Sequence, residues 1–165
     1  KLAGYLSRDE AMYANWIVGR QTDCLMTIAD ADGAVISVKL EGLRRRIRTQ
    51  VDGERIRATI ELAGKGIVVE NRSGRDPAHP PDLVSIQRIV NEQTKQAVLR
   101  LIAQAQQRYR LDLFGIGSRI HQQHPVKWKA LRPRWHALFP QIDIAVNVRV
   151  KCKGPGQTHS SMGGA

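Results

Sequence analysis

The spacing of apolar residues changes along the chain, and each change marks an element. A short apolar start at 1–6 reads as a strand. Ser7 followed by Glu10 is a capping-box pattern, and Met12, Trp16 and Ile17 then share one helical face. A first helix is therefore expected from about Arg8 to Val18, with Gly19 as its stop. From Cys24 to Asn71 the period is two. Ile36, Val38 and Leu40 alternate with Ser37, Lys39 and Glu41, and Leu43, Ile47 and Val51 oppose Arg44, Arg46 and Arg48. Ile56, Ala58, Ile60 and Leu62 oppose Arg55, Arg57 and Glu61. Asp52-Gly53 between the last two runs is a hairpin signal, and Ile67 to Glu70 suggests a short edge strand.

Proline-rich Ser73 to Asp82 is a loop by composition. Asp82 is placed as the N-cap of an amphipathic helix from Leu83 to about Arg110, about 40 Å long at 1.5 Å per residue. Its apolar face reads Leu83, Ile86, Val90, Ala97, Leu101, Ile102, Ala105 and Tyr109. After short, proline-punctuated helical turns, Ile142, Ile144, Val146, Val148, Val150 and Cys152 alternate with polar or small residues. That pattern predicts a half-buried, antiparallel strand. The sum is an α+β fold: a mostly antiparallel sheet of about four strands, with a long amphipathic helix and several shorter helices packed on it. Residues 1–153 are expected to form one domain, and 154–165 a flexible tail.

Charge changes this picture more than composition does. With 26 lysines and arginines against 15 carboxylates, the net charge of +11 favours anionic neighbours. No apolar run approaches the roughly 18 residues that span a bilayer. Cys24 and Cys152 lack metal-type spacing, and their pairing is left open.

Candidate chemistry concentrates in residues 111–141, which hold two of three tryptophans, both phenylalanines and three of five histidines. His121 and His124 stand at i, i+3, a spacing that can share a metal and would suit a metal-dependent hydrolase, with His136 nearby. No carboxylate or cysteine lies close by to complete such a site, and no cofactor is expected. The "RRRIR" run at 44–48 and the basic residues of 119–134 could instead contact phosphates, with tryptophans stacking on bases. Trp128, Leu131, Trp135 and Phe139 recur at helical spacing, however, which is the mark of a core stripe. No nucleic-acid partner is therefore expected. Pro125 and Pro133 suit first helical turns, Pro140 ends a helix, and Gly115 and Gly117 are expected to turn the backbone sharply.

These same residues resemble the C-terminal signature of the spore germination receptor C-subunit, the Ger(x)C family. Asp112, Phe114, Gly115, Gly117, His121, Pro125, Trp128, Trp135, Phe139 and Pro140 stand at the matching places, and "KLAGYLSRDE" followed by Trp16 is similar to the family's start. The resemblance covers about 1–153, with Ile116 where the family usually has an aromatic. It implies a non-enzymatic component of a nutrient receptor, working with two integral-membrane subunits, A and B. It also implies a lipid anchor on the outer face of the spore inner membrane, carried by a region upstream, so that this chain is the last domain of a larger lipoprotein. The signature residues are then expected to be mainly structural. The working surface is expected on Arg44, Arg46, Arg48, Arg55 and Arg57, with an anionic membrane as one neighbour.

Overall fold

Helix α1 (Arg8–Val18) begins where the Ser7 hydroxyl accepts the Glu10 N–H at 3.1 Å, and it ends at Gly19 with φ of 83°. Both limits fall where the sequence places them. The structure, a computed structural model, describes residues 5–154. The expected strand at 1–6 lies mostly outside the described residues, and Tyr5 and Leu6 are not in a strand.

A four-stranded sheet follows in the order β1 (Cys24–Ala29), β2 (Val35–Asp52), β3 (Arg55–Asn71), β4 (Asp143–Lys153). Strands β1, β2 and β3 pair antiparallel, and the Asp52-Gly53 hairpin joins the two longest of them. Residues Ile67 to Glu70 are no separate edge strand: they continue β3 and pair with β2 inside the sheet.

Strand β4 pairs with β3 in parallel, contrary to the antiparallel expectation. Alternation reports that one face is exposed; it carries no information on the direction of the neighbour. Direction is set by the crossover. Helix α2 (Pro80–Gln104) has 25 residues and spans about 37 Å at 1.5 Å per residue, which returns the chain to the end of the sheet where β3 began.

The start of α2 also differs from expectation. His79 is the N-cap, Pro80 and Pro81 occupy the first turn, and Asp82 lies inside that turn. Proline lacks an N–H that the first turn leaves unbonded anyway, so the proline pair begins the helix rather than preceding it. The Asp82 carboxylate accepts the Asp76 N–H at 3.0 Å, which holds it below the usual carboxylate range. The helix becomes a π-turn at Ala105–Tyr109 and stops at Arg110, in the left-handed region at φ 52°.

Short helices α3 (Ile116–Gln123), α4 (Pro125–Leu131) and α5 (Trp135–Leu138) complete the chain before β4. The core lies between the helices and one sheet face. Trp16, Ile86, Val90, Val98, Leu101, Phe114, Ile120 and Phe139 meet Val38, Leu40, Ile60, Leu62, Val146 and Val150 there. Ala97 and Tyr109 are only half-buried, while Thr94 and Val98, absent from the expected stripe, are buried.

Cys24 and Cys152 are both free. They share one cross-strand row through Leu40 and Gly66, three strand spacings or about 14 Å apart, beyond the reach of a disulfide. Burial pushes each thiol up to about 11, with Asp23 adding to the effect at Cys24. The expected tail at 154–165 lies outside the described residues except for Gly154. That residue is buried, and a Cβ on it would stand 2.5 Å from the Pro77 carbonyl oxygen.

Candidate interaction surface

The aromatic stretch builds a joint between α3, α4 and the turns that lead to β4. Asp112 accepts three backbone N–H groups: from Phe114 at 3.2 Å and Ile116 at 3.0 Å on Oδ1, and from Gly117 at 2.7 Å on Oδ2. The Ile116 and Gly117 donors are among those that the start of α3 leaves unbonded, and the Phe114 donor lies in the turn before it, so the single carboxylate of the stretch caps the helix. Gly115, at φ 73°, makes the turn into α3 that a side chain would strain. Gly117 was expected to turn the backbone too, but it lies within α3 and does something else. A Cβ there would stand 2.8 Å from Trp135 Nε1 and 3.0 Å from Trp128 Cη2, so its bare Cα admits the two indoles.

Trp128 and Trp135 meet edge to face at 5.5 Å, Trp135 leans on Phe139 at 5.8 Å, and His121 stacks on Trp128 at 6.3 Å. Phe139 and Leu131 are fully in the core, while the two indoles are half-buried over α3. Pro125 opens α4, and Pro140 sits within a 3-10 turn at Phe139–Gln141 that hands the chain to β4.

This joint closes one edge of the sheet. Beyond the reach of β1, the outer edge of β2 has no neighbouring strand among the described residues, and such an edge invites pairing with other chains. Gln123 covers it: its oxygen accepts the Thr49 N–H at 2.9 Å and its amide donates to the Ile47 carbonyl at 2.9 Å. His124 Nε2 stands 3.0 Å from the Thr49 carbonyl oxygen, which only accepts, so that nitrogen carries the proton. Lys127 donates to the Val51 carbonyl at 2.8 Å. The engaged His124 nitrogen and the stacked His121 ring serve packing, and no metal-holding group of three or more His, Cys, Asp or Glu occurs among the described residues.

The other edges are closed the same way. Asn91 accepts from the Val150 N–H and donates to its carbonyl on β4, and Gln87 accepts the Cys152 N–H. Gln93 pairs with both backbone groups of Ala29 on β1. None of these amides stands out in the sequence. Only the sheet order shows which backbone groups they meet.

The opposite face of the sheet is bare. Its cross-strand rows follow from the register: Glu41–Lys65–Lys151, Arg44–Ala63–Arg149, Arg46–Glu61–Asn147, Arg48–Thr59–Ala145 and Gln50–Arg57–Asp143. The hairpin pair Asp52–Arg55 closes one end, and a row through all four strands, Leu25–Lys39–Ile67–Lys153, closes the other. These side chains are exposed or half-buried, so among the described residues no helix lies over them.

These rows present ten cations against four carboxylates, and the next row beyond Leu25, Thr27–Ser37–Glu70, adds a fifth carboxylate that pairs with Arg72 at 3.1 Å. Lys39 pairs with Glu41 at 3.3 Å and Arg48 with Glu61; the remaining eight cations have no ion pair among the described residues. Arg44, Arg46, Arg48, Arg55 and Arg57 therefore do share one surface. Lys39, Lys65, Arg149, Lys151 and Lys153 belong to it as well. Their alternation was legible, but their place beside β2 required the β4 register.

Arg45, the remaining member of the "RRRIR" run, points the other way and donates to the Val18 carbonyl at the end of α1. All three tryptophans lie on the helical side, with Trp16 bonded to the Arg44 carbonyl, and among the described residues no aromatic side chain stands in the rows of the basic face.

Comparison with known proteins agrees with this architecture. A protein of Bacillus subtilis strain 168, "Spore germination protein B3", is 22% identical over 152 residues, which is 92% of this chain and 40% of that protein. The crystal structure of the GerBC protein superposes with a TM-score of 0.79 at 21% identity, over 90% of this chain and 46% of that one. The chain thus spans less than half the length of either relative. Its sequence matches the family described as "Spore germination B3/GerAC like, C-terminal" over residues 1–156, and the chain belongs to that family.

Proposed function

We propose that this domain is a non-catalytic docking module of a germinant receptor. In this reading it is carried by a longer lipoprotein anchored at the outer face of the spore inner membrane, beside two integral-membrane subunits, A and B. Family membership supports the germination role. The bare, basic sheet face supports the docking role, because the helices, the edge caps and the aromatic joint all serve to hold that one face rigid and open.

Charge reversal of the face in the full-length lipoprotein tests the reading. Arg46→Glu with Arg57→Glu is expected to reduce co-purification with the integral-membrane subunits and to slow the germination response to nutrient, while the protein still accumulates in spores. Unchanged co-purification together with an unchanged response would remove the docking role from this face.

A further inference from the structure

The bare face has a shape and a charge layout that narrow its occupant. Strands β2, β3 and β4 run side by side over the 11 residues of β4, about 35 Å, with a concavity at the hairpin end lined by Gln50, Asp52, Arg55, Arg57 and Asp143. Its cations are spread along the whole length instead of being gathered in one pocket. A nucleic-acid site would offer stacking rings or an element shaped to a groove, and this face offers neither. Here the centre is polar, and the exposed apolar side chains stand at one end only: Leu25 is 67% exposed and Val69 55% exposed, beside Ile67. In that end row Lys39 and Lys153 alternate with Leu25 and Ile67. Lysine stems can lie along apolar surface while their ammonium groups reach phosphates.

We infer that the β2–β3–β4 face lies flat on an anionic phospholipid bilayer. Its arginine and lysine rows meet lipid phosphates, and the Leu25–Ile67–Val69 end enters the headgroup layer. The inference rests on the docking reading and specifies what the face touches there. It also orients the domain, with the helices and the aromatic joint turned away from the membrane.

Sedimentation of the chain with phosphatidylcholine vesicles, with and without phosphatidylglycerol, tests it. Binding is expected only to the phosphatidylglycerol vesicles and should weaken as salt rises. A triple variant of the face, Arg44→Gln, Arg46→Gln and Arg149→Gln, should bind about a hundredfold more weakly, since each basic residue at an anionic surface contributes about 1 kcal/mol. A control triple of equal charge on the helical side, Arg88→Gln, Arg108→Gln and Arg132→Gln, should stay within about twofold of wild type, being held farther from the membrane than a Debye length.

An equal loss in both triples would overturn the inference, because net charge alone would then be read. Binding of polyglutamate or of a DNA duplex, with indifference to the anionic vesicles, would also overturn it. Co-purification with the receptor subunits is measured separately, so the docking reading stands or falls independently of the lipid result.

Discussion

Replacing Asp112 should destabilise the domain more than any exposed carboxylate can. Its two oxygens accept the Phe114, Ile116 and Gly117 N–H groups, and Ile116 and Gly117 are buried, so water cannot take over their donors. Loss of a helix cap costs about 0.5–2 kcal/mol, and each buried donor left unbonded adds about 1–3 kcal/mol. For Asp112→Ala, about 3 kcal/mol is expected after partial relaxation of the turn. In a domain of this size that lowers the melting temperature by about 6–12 °C. Asp112→Asn keeps one oxygen for Phe114 and Ile116 but places an amide near the Gly117 N–H, so it should lose about 1–2 kcal/mol. Urea denaturation followed by tryptophan fluorescence measures both, since Trp128 and Trp135 pack over α3. An alanine variant within about 0.5 kcal/mol of wild type would refute the capping role. An asparagine variant as unstable as alanine would show that the charge, not the acceptor geometry, matters.

Three further outcomes follow from the geometry. Gly117→Ala should destabilise, because overpacking against the two indoles costs about 1–3 kcal/mol while the gain in helix propensity is at most about 1 kcal/mol; combining it with Trp135→Phe should recover part of the loss in a double-mutant cycle. Gln123→Ala should lower stability by about 1–2 kcal/mol and, by opening the β2 edge, produce concentration-dependent association visible in light scattering, whereas a substitution at exposed Gln122 should do neither. Alkaline pH should destabilise the fold in a defined window. The thiols of Cys24 and Cys152 are raised from 9.0 to about 11 in the folded state, so their contribution is fully present below pH 9 and is lost as pH rises towards 11. Thermal melts across that range should fall less steeply in Cys152→Ala once compared with that variant's own neutral-pH value, and an identical pH slope would discount the thiol.

The elements of this protein were largely legible one at a time. Helix α1, the Asp52-Gly53 hairpin, the face of α2 and the alternation of β4 follow from local periodicity and turn chemistry, which depend on neighbours a few residues away. Two departures from expectation are also local: the proline pair occupies the first turn of α2, so His79 and not Asp82 is the cap, and Gly117 gives clearance to two rings within α3 instead of making a turn.

What no local pattern holds is which strand lies beside which. The parallel pairing of β4 places Arg149, Lys151 and Lys153 beside arginines and lysines distant in sequence, turning separate basic runs into one surface. The same pairing carries Cys152 three strands away from Cys24 and sets Asn91 against the edge of β4. Residues 111–141 also reach across the fold: hydrogen bonds from Gln123 and Lys127 run to β2 backbone groups more than sixty positions away. Periodicity determined which side of each element is apolar. The tertiary structure decided which polar sides come together, because strand order and register are fixed by packing across the whole core and not by any one segment.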